Sequence, residues 1–212
     1  MAFDRTYFES QYRDYERQNP VRKLTFYRRL VEMGAGDRSR PRILDIGCAY
    51  GLFLSNLGDG WERYGEDASE YAIRIAREKS PSVHFDLSLL GNHPFAGPFE
   101  IITVFDVLEH VLKLEELLDW IFHGLIPGGA FIFVVPVYDG PTGPIIKTLD
   151  RDPTHVHKWG RQAWLERVGR RFQLVDWWGI CRYLFPWGPY MHLVTRSLRR
   201  FTPAIACLMR RG

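Results

Sequence analysis

The chain has 212 residues, of which 46% are apolar and 25% charged, so we expect one globular domain of generous size rather than a disordered segment. No apolar run reaches about 18 residues and the opening segment is charged throughout, which predicts neither a membrane span nor a signal peptide. The formal net charge is only +3, but the last acidic residue is Asp176 and six arginines follow it.

The N-terminal segment has two stretches with helical spacing of aromatic and apolar residues, at residues 4–17 and 21–33. We expect a helical cap over residues 1–38. Tyr12 and Tyr15 in this cap either cover a ligand as a lid or pack as an aromatic helix face, and the pattern fits both.

Strand and helix patterns then alternate up to Pro136. The strand-like runs are RILDI, WERYGE, SVHF, EIITVFD and AFIFVVP, and amphipathic segments separate most of them. Such alternation predicts a parallel sheet with helices on both faces. Three scattered cysteines, Cys48, Cys181 and Cys207, show no metal-ligand spacing and no disulfide framework, which indicates a reducing, cytoplasmic setting.

The alternation of strand and helix patterns ends after Pro136. Residues 137–160 read as a long loop, and loops of this length usually serve a function. A helix pattern, RQAWLERVGRRF, and a strand pattern, QLVDWWGI, follow it. Within residues 190–201 the apolar side chains share one helical face, which predicts an inserted amphipathic helix that covers the substrate cleft as a lid or else contacts a membrane. Those side chains are Met191, Val194, Leu198 and Phe201.

The stretch RILDIGCAYGLFL, residues 42–54, places an acid and small residues in a tight bend after a strand. Small residues let the backbone approach a ligand, and the first N–H groups of the next helix favour an anion or a polar nucleotide-like group. Asp67 lies 20 positions after Gly47, where a carboxylate at the end of a second strand can accept both ribose hydroxyls.

This stretch resembles motif I of the class I S-adenosylmethionine-dependent methyltransferases, D-x-G-x-A-x-G, with Ala49 in place of the central glycine. Further segments are similar to the small-molecule branch, which includes the ubiquinone- and menaquinone-biosynthesis enzymes: GEDAS, VHFDLS, FEIITVFDVLEHV, LIPGGAFIFVVP and DPTHVHKWGRQAWLERV. The resemblance covers residues 40–180. It implies a Rossmann-like, doubly wound α/β fold with a mostly parallel seven-stranded sheet, helices on both faces, and an antiparallel strand near the C-terminus.

The resemblance implies S-adenosyl-L-methionine as cofactor and S-adenosyl-L-homocysteine as product. Asp67 is expected at the ribose, Asp86 near the adenine amine and Leu87 beside the adenine ring. The full set of cofactor-binding residues that it implies is Asp45, Gly47, Ala49, Gly51, Asp67, Ala68, Asp86, Leu87, Phe105 and Asp106. No N-P-P-Y or D-P-P-Y follows the fourth strand, which argues against adenine-N6 and glutamine methyltransferases.

Two histidines are candidates for catalysis, His155 and His110. Histidine suits a general base because its ordinary pKa lies near neutral pH, and Asp152 is placed to orient His155. For each histidine the alternative is a structural hydrogen bond, and that alternative is the stronger one for His110. His157 shares a side of the loop with His155, but a third ligand is missing and no C-x-x-C or H-E-x-x-H occurs, so we expect no bound metal.

The resulting expectation is a methyltransferase acting on a small acceptor, apolar or aromatic or sugar-linked, most simply by O-methylation. One alternative is a nucleic-acid methyltransferase that places the basic C-terminal segment on phosphates; another is a non-catalytic cofactor-binding protein. The tail arginines also suit ion pairs with the acidic body. We expect no nucleic-acid partner, a peripheral membrane contact as an open alternative, and a monomer or homodimer. The expected domain spans residues 1–212: cap 1–38, core 40–180, inserted helix 181–203, last strand and tail 204–212.

Overall fold

The computed structural model describes residues 15–88, 92–141, 143–150, 152–184 and 190–212. Most of the predicted N-terminal helix 4–17, with Tyr12, lies outside these ranges. The helices are α1 Tyr15–Gln18, α2 Val21–Ala35, α3 Leu52–Ser55, α4 Glu70–Lys79, α5 Leu114–Gly124, α6 Gly143–Leu149 and α7 Arg161–Gly169. The strands are β1 Arg42–Ile46, β2 Glu62–Asp67, β3 His84–Leu87, β4 Phe99–Phe105, β5 Leu125–Pro136, β6 Phe172–Leu184, β7 Tyr190–Thr195 and β8 Ala204–Arg211.

The described strands form one eight-stranded sheet in the order β3-β2-β1-β4-β5-β8-β6-β7. Strands β1 to β5 pair in parallel, whereas β8 runs antiparallel to both β5 and β6. The expected Rossmann-like, mostly parallel sheet is confirmed, and it has eight strands where seven were predicted. Because parallel strands end at one edge, the residues that follow β1, β2 and β4 meet there.

The additional strand is the segment predicted as an amphipathic helix. Residues Tyr190–Thr195 pair antiparallel with β6, in a register that runs from Leu184 opposite Tyr190 to Gly179 opposite Thr195. A 3₁₀ turn at Arg199–Phe201 follows. The predicted helix within residues 181–203 is therefore wrong. Aromatic and β-branched residues favour a strand wherever a neighbouring strand supplies backbone partners, and β6 supplies them here.

Apolar side chains cover both faces of the sheet. Neighbouring strand residues alternate between two buried clusters, so that Ile43 packs toward α2 while Leu44 packs toward α5 and α7. Each fully buried side chain of this size contributes roughly 1.5–3 kcal/mol of hydrophobic stabilisation. Ser69 caps α4, as its Oγ accepts a hydrogen bond of 3.3 Å from the Ala72 N–H. None of the described helices is both long enough and apolar enough to span a bilayer.

Candidate functional site

A cavity of about 440 Å³ opens where β1 and β4 end. Its walls come from the turn after β1, the start of α2, the end of β4, the loop after β5, and strands β6 and β7. Of the predicted site residues, seven line this cavity: Asp45, Gly47, Ala49, Phe105, Asp106, His110 and His155. The other five do not line it: Gly51, Asp67, Ala68, Asp86 and Leu87.

The turn after β1 is built from left-handed backbone. Gly47, Ala49 and Gly51 have φ angles of 78°, 48° and 71°, conformations that glycine adopts without steric cost. The Gly47 and Cys48 N–H groups donate to the Glu66 carbonyl at 2.8 and 3.0 Å, which fixes the turn against β2. The turn therefore presents backbone, rather than bulky side chains, to the cavity.

Asp67 holds the same turn from the end of β2. One carboxylate oxygen accepts from the Ala49 N–H at 2.9 Å, and the other accepts from the Ser69 N–H at 2.9 Å. Each oxygen keeps a further lone pair, which can accept a ribose hydroxyl as predicted. Burial raises the pKa of Asp67 to about 6.

Asp45 is a buried acid without a cationic partner among the described residues. Its side chain is only 4% exposed and accepts a 2.6 Å hydrogen bond from the Thr103 hydroxyl. Burial raises the pKa of Asp45 to about 7, and the nearby Asp67 and Glu66 add to the effect. A ligand that brings a positive charge and hydroxyl donors would satisfy this set of acids. S-adenosylmethionine carries an ammonium, a sulfonium and two ribose hydroxyls, so the residues present fit it.

The predicted adenine residues lie at the neighbouring edge of the sheet. Leu87 is paired with Asp67 across β2 and β3, and Ala68 follows Asp67 directly. Asp86 is half-exposed and accepts a hydrogen bond from Arg77 at 2.9 Å. These positions are consistent with a ligand that extends from the cavity along the strand ends, with its base beyond Asp67.

His155 is held by an acid and reaches the cavity from the loop after β5. Its Nδ1 lies 2.9 Å from Asp150 Oδ2, and the same oxygen accepts from the Tyr138 hydroxyl at 2.7 Å and from Lys158 at 2.9 Å. Although burial opposes the effect, these hydrogen bonds lower the pKa of Asp150. Asp152, which we expected to orient His155, lies 4.0 Å from its Nε2, so Asp150 has that role instead.

His110 belongs to a second chain of hydrogen bonds. Its Nδ1 lies 2.8 Å from the Thr154 hydroxyl, which donates to Asp152. Burial lowers the pKa of His110, and the neighbouring His155, whose ring centre is 4.6 Å away, lowers it further. His157 does not join this group, because its Nε2 contacts the Val111 carbonyl at 2.8 Å and anchors the loop.

Glu109 adds a third potential ligand beside the two cavity histidines. One donor atom each from Glu109, His110 and His155 lies within 4.8 Å of the others. A carboxylate with two imidazoles is a donor set that divalent transition metals accept. Burial, together with the charge on Asp106, raises the pKa of Glu109 well above its ordinary value. The expectation of no bound metal stays a prediction, and this cluster is where a metal would be held.

The wall formed by α2, β6 and β7 was not predicted from the sequence. Arg182 forms an ion pair with Asp106, and the Lys23 ammonium lies 5.6 Å from the Tyr27 ring centre and 5.9 Å from that of Tyr190. One signal was available, since Lys23 and Tyr27 are four residues apart on an otherwise apolar helix face. Their contact with β6 and β7 joins distant parts of the chain, so no local pattern predicts it.

The arginines that follow Asp176 are mostly bound within the molecule. Arg196 and Arg199 pair with Asp176, and Arg210 donates to the Gly34 carbonyl at 2.7 Å. Arg211 donates to the Leu125 carbonyl. With the Arg182 ion pair, five of the six arginines thus have internal partners. This arrangement favours the ion-pair interpretation of the tail over a free basic surface.

Comparison with known proteins places the fold in a family. Residues 15–184 match the family model described as a methyltransferase domain. A ubiquinone biosynthesis O-methyltransferase of Thiobacillus denitrificans is 27% identical over 146 residues, 61% of this chain and 62% of that protein. A trans-aconitate 2-methyltransferase of Variovorax paradoxus is 26% identical over 164 residues, 75% of this chain and 58% of that protein. The chain thus spans about three fifths of the length of these curated relatives.

A solved structure shows the same fold. The N-methyltransferase NodS from Bradyrhizobium japonicum, determined in complex with S-adenosyl-L-homocysteine, superposes with a TM-score of 0.63 at 16% identity. The match covers 92% of this chain and 89% of NodS. The chain belongs to the methyltransferase-domain family, and its sequence-based assignment to the S-adenosylmethionine-dependent methyltransferases is confirmed.

Proposed function

We propose that this chain transfers the methyl group of S-adenosylmethionine to an oxygen atom of a small acceptor, with His155 as the general base. One observation carries the proposal: His155 lies on the same cavity as Asp45 and the turn after β1, with its Nδ1 held 2.9 Å from Asp150. The cofactor, when bound, supplies an electrophilic methyl group on a sulfonium that leaves as a neutral thioether.

The side chains at the strand ends are suited to hold the cofactor. Asp67 would accept the ribose hydroxyls and Asp45 would face the positively charged part of the molecule. Glycine and alanine in the turn leave room for the cofactor along β1. Asp45 is buried and Asp67 is partly buried, and neither pairs with a cation among the described residues, so a cationic ligand relieves their mutual repulsion.

The acid beside His155 determines which ring nitrogen can accept a proton. With Nδ1–H donating to Asp150, the lone pair remains on Nε2, in the same arrangement by which acid–histidine pairs fix a tautomer elsewhere. Nε2 can then take the proton of an acceptor hydroxyl as its oxygen attacks the methyl carbon. Asp150 stabilises the imidazolium that forms, and His155 later returns the proton to water.

The rest of the catalytic effect comes from positioning. The rings of Tyr27 and Phe105 stack 4.1 Å apart, and Phe53 lies edge-on to Phe105 at 5.1 Å, which builds a rigid aromatic wall. Holding acceptor and methyl group in line can supply about 7–11 kcal/mol of the barrier reduction. Oxygen as the methylated atom is supported by the O-methyltransferase among the relatives and by a base suited to a hydroxyl.

The proposal is tested by methyl transfer from labelled S-adenosylmethionine to a panel of small hydroxyl-bearing acceptors. We expect S-adenosylmethionine and S-adenosylhomocysteine to bind in calorimetry and NAD not to bind. His155→Ala should lower turnover by roughly 10²–10⁴ without weakening cofactor binding.

His157→Ala is the matched control, because that ring contacts only a backbone carbonyl and neighbouring tryptophans among the described residues. It should alter stability more than turnover per folded molecule. Equal losses of turnover in the two variants would contradict the role given to His155, and tighter binding of NAD would contradict the proposed function itself.

A further inference from the structure

One wall of the cavity carries a cation, the ammonium group of Lys23. The Lys23 side chain lines the cavity and contacts two aromatic rings, and among the described residues it forms no ion pair. Burial lowers the pKa of Lys23 to about 8, so the ammonium remains largely charged at neutral pH. Lys23 is partly buried in this wall, and a partly desolvated cation without an anion beside it is costly, so a bound anion would remove that cost.

Tyr27 offers an unused hydrogen-bond donor at the same place. Its side chain is 3% exposed, it lines the cavity, and its hydroxyl has no partner in the part of the chain that the structure describes. Buried hydroxyls are nearly always hydrogen-bonded, so this one points to a ligand. The hydroxyl belongs to a ring fixed by stacking on Phe105, and it is therefore held in place before any ligand arrives.

The charges around Lys23 do not cancel. The charged groups that act on it most strongly are Asp106 and Arg182, and these two form an ion pair with each other. His192, which also lies against this wall, has its pKa lowered to about 4 by burial and by Lys23, and so adds no charge near neutral pH. Among the described residues one positive charge is thus left uncompensated, in the same wall as the Tyr27 hydroxyl.

We propose that the methyl acceptor carries a carboxylate, which Lys23, Tyr27 and Arg182 bind at the wall formed by α2, β6 and β7. This inference rests on the proposed function and adds the substrate class: an acid that also bears the oxygen to be methylated. The aromatic rings of Tyr27, Phe105 and Tyr190 line the same cavity and suit an aromatic or unsaturated acid. The carboxylate anchors the acceptor, while His155 serves the reacting hydroxyl.

A carboxylate could also come from the cofactor, whose amino-acid part carries one. The location favours the acceptor, because Arg182 and Tyr190 lie on β6 and β7, the strands farthest along the sheet from β1, β2 and β3. Those three strands hold most of the residues that fit the cofactor. Independent measurements of cofactor binding and acceptor binding separate the two sources.

The test compares two probes of nearly the same shape, 3,4-dihydroxybenzoate and 3,4-dihydroxybenzamide, in which a charged carboxylate is replaced by a neutral amide. Calorimetry measures the binding of each to the protein with and without saturating S-adenosylhomocysteine. We expect the acid to bind about tenfold or more tightly than the amide, as one charge-assisted hydrogen bond provides. Lys23→Met and Tyr27→Phe should each reduce that ratio, and the second variant removes a single oxygen atom, so that the ring packing is kept.

Lys113→Met is the matched control for the charge change, because its side chain is 69% exposed and pairs only with Glu116 among the described residues. It should leave the ratio unchanged. Equal binding of acid and amide, or no binding of either, overturns the inference. A Lys23→Met variant that loses affinity for S-adenosylhomocysteine while keeping the acid-to-amide ratio also overturns it, since the carboxylate held would then be the cofactor's. Absence of S-adenosylhomocysteine binding in the wild type would instead contradict the proposed function.

Discussion

Asp45 links the stability of this protein to pH at the scale of one residue. Burial raises its pKa from an ordinary value of 3.8 to about 7, so the folded state holds the proton more tightly than the unfolded chain does. The cofactor-free protein should therefore lose stability as pH rises from about 4 to about 7, because folding then has to keep a buried negative charge. A cationic ligand reverses this preference, since it favours the ionised carboxylate.

Asp45→Asn is expected to stabilise the cofactor-free protein at pH 8. The amide can still accept from the Thr103 hydroxyl and carries no charge, so unfolding should cost about 2–4 kcal/mol more than in the wild type. Near pH 4 the difference should vanish, because the wild-type acid is then protonated. Urea unfolding at both pH values measures this, with the exposed Asp37→Asn as control. A gain of equal size at both pH values would mean that charge is not its cause.

Which parts of the site the sequence could predict also differs from residue to residue. Asp45, Gly47 and Ala49 could be placed beside the cavity from the sequence, because their positions depend on a local turn that follows a strand. The choice of Asp150 over Asp152 could not be predicted, since it depends on how the loop around α6 folds back toward Tyr138. Lys23 and Arg182 are distant in sequence, and no local pattern predicts that they lie in the same wall of the cavity.

At the scale of the elements, one glycine precedes α3 and another follows it, and they allow backbone strain to be separated from steric clash. Gly51 has a φ of 71°, and an added Cβ would lie 2.3 Å from the Phe85 ring. Gly58 has a φ of 79°, but an added Cβ there meets nothing within 4 Å. The two positions therefore share the backbone strain, and only the first adds a steric clash.

Gly51→Ala should therefore destabilise the protein more than Gly58→Ala does. We expect about 1–2 kcal/mol from the strained backbone in each variant, and a further 1–3 kcal/mol from the clash at Gly51. Thermal and urea unfolding give the two values. Equal destabilisation would show that Phe85 moves aside freely and that the turn is less tightly packed than its geometry indicates.

The edge strand β7 shows why an element can be misassigned from its pattern. Met191, Val194, Leu198 and Phe201 repeat at helical spacing. Residues Tyr190–Thr195 nevertheless pair with the β6 backbone, in a ladder of hydrogen bonds that no local pattern can reveal. Leu198 and Phe201 are 62% and 55% exposed and do not line the cavity, which argues against a lid formed by these two side chains.

Replacing Leu198 and Phe201 by Ser should leave acceptor KM unchanged, because neither residue lines the cavity. Tyr190→Ala is the matched comparison, since Tyr190 lies in the same segment, lines the cavity and contacts Lys23, and it should raise KM. Liposome binding measured on the same variants addresses the membrane alternative. A raised KM in the Leu198 and Phe201 variant would instead support the interpretation of this segment as a lid.

For the molecule as a whole, the parallel half of the sheet could be predicted from the sequence, whereas the position of the last strand could not. The parallel half follows from apolar runs that alternate with amphipathic helices, a pattern set by neighbours in sequence. The other half depends on β8, the last strand, inserting between β5 and β6. That insertion is stabilised by the burial of Ile205, Cys207 and Met209 against β5 and its neighbours, which is a contact between distant parts of the chain.

Arg210 helps to hold the last strand in place, and we expect its loss to lower the stability of the fold rather than to weaken the binding of a partner. Arg210 donates to the carbonyls of Gly34 at 2.7 Å and Gly128 at 3.0 Å, which joins β8 to the end of α2 and to the turn inside β5. Arg210→Met keeps much of the apolar stem but removes both bonds, so we expect the free energy of unfolding to fall by about 1–3 kcal/mol. Arg200→Met, which removes the same charge from a residue without such bonds in the described part of the chain, should change the free energy of unfolding by less than about 0.5 kcal/mol.

Urea unfolding measures the stability of both variants, and their binding to a short DNA duplex at low salt is measured beside it. If both variants unfold like the wild type and both weaken DNA binding, the tail is a basic contact surface rather than a structural tie.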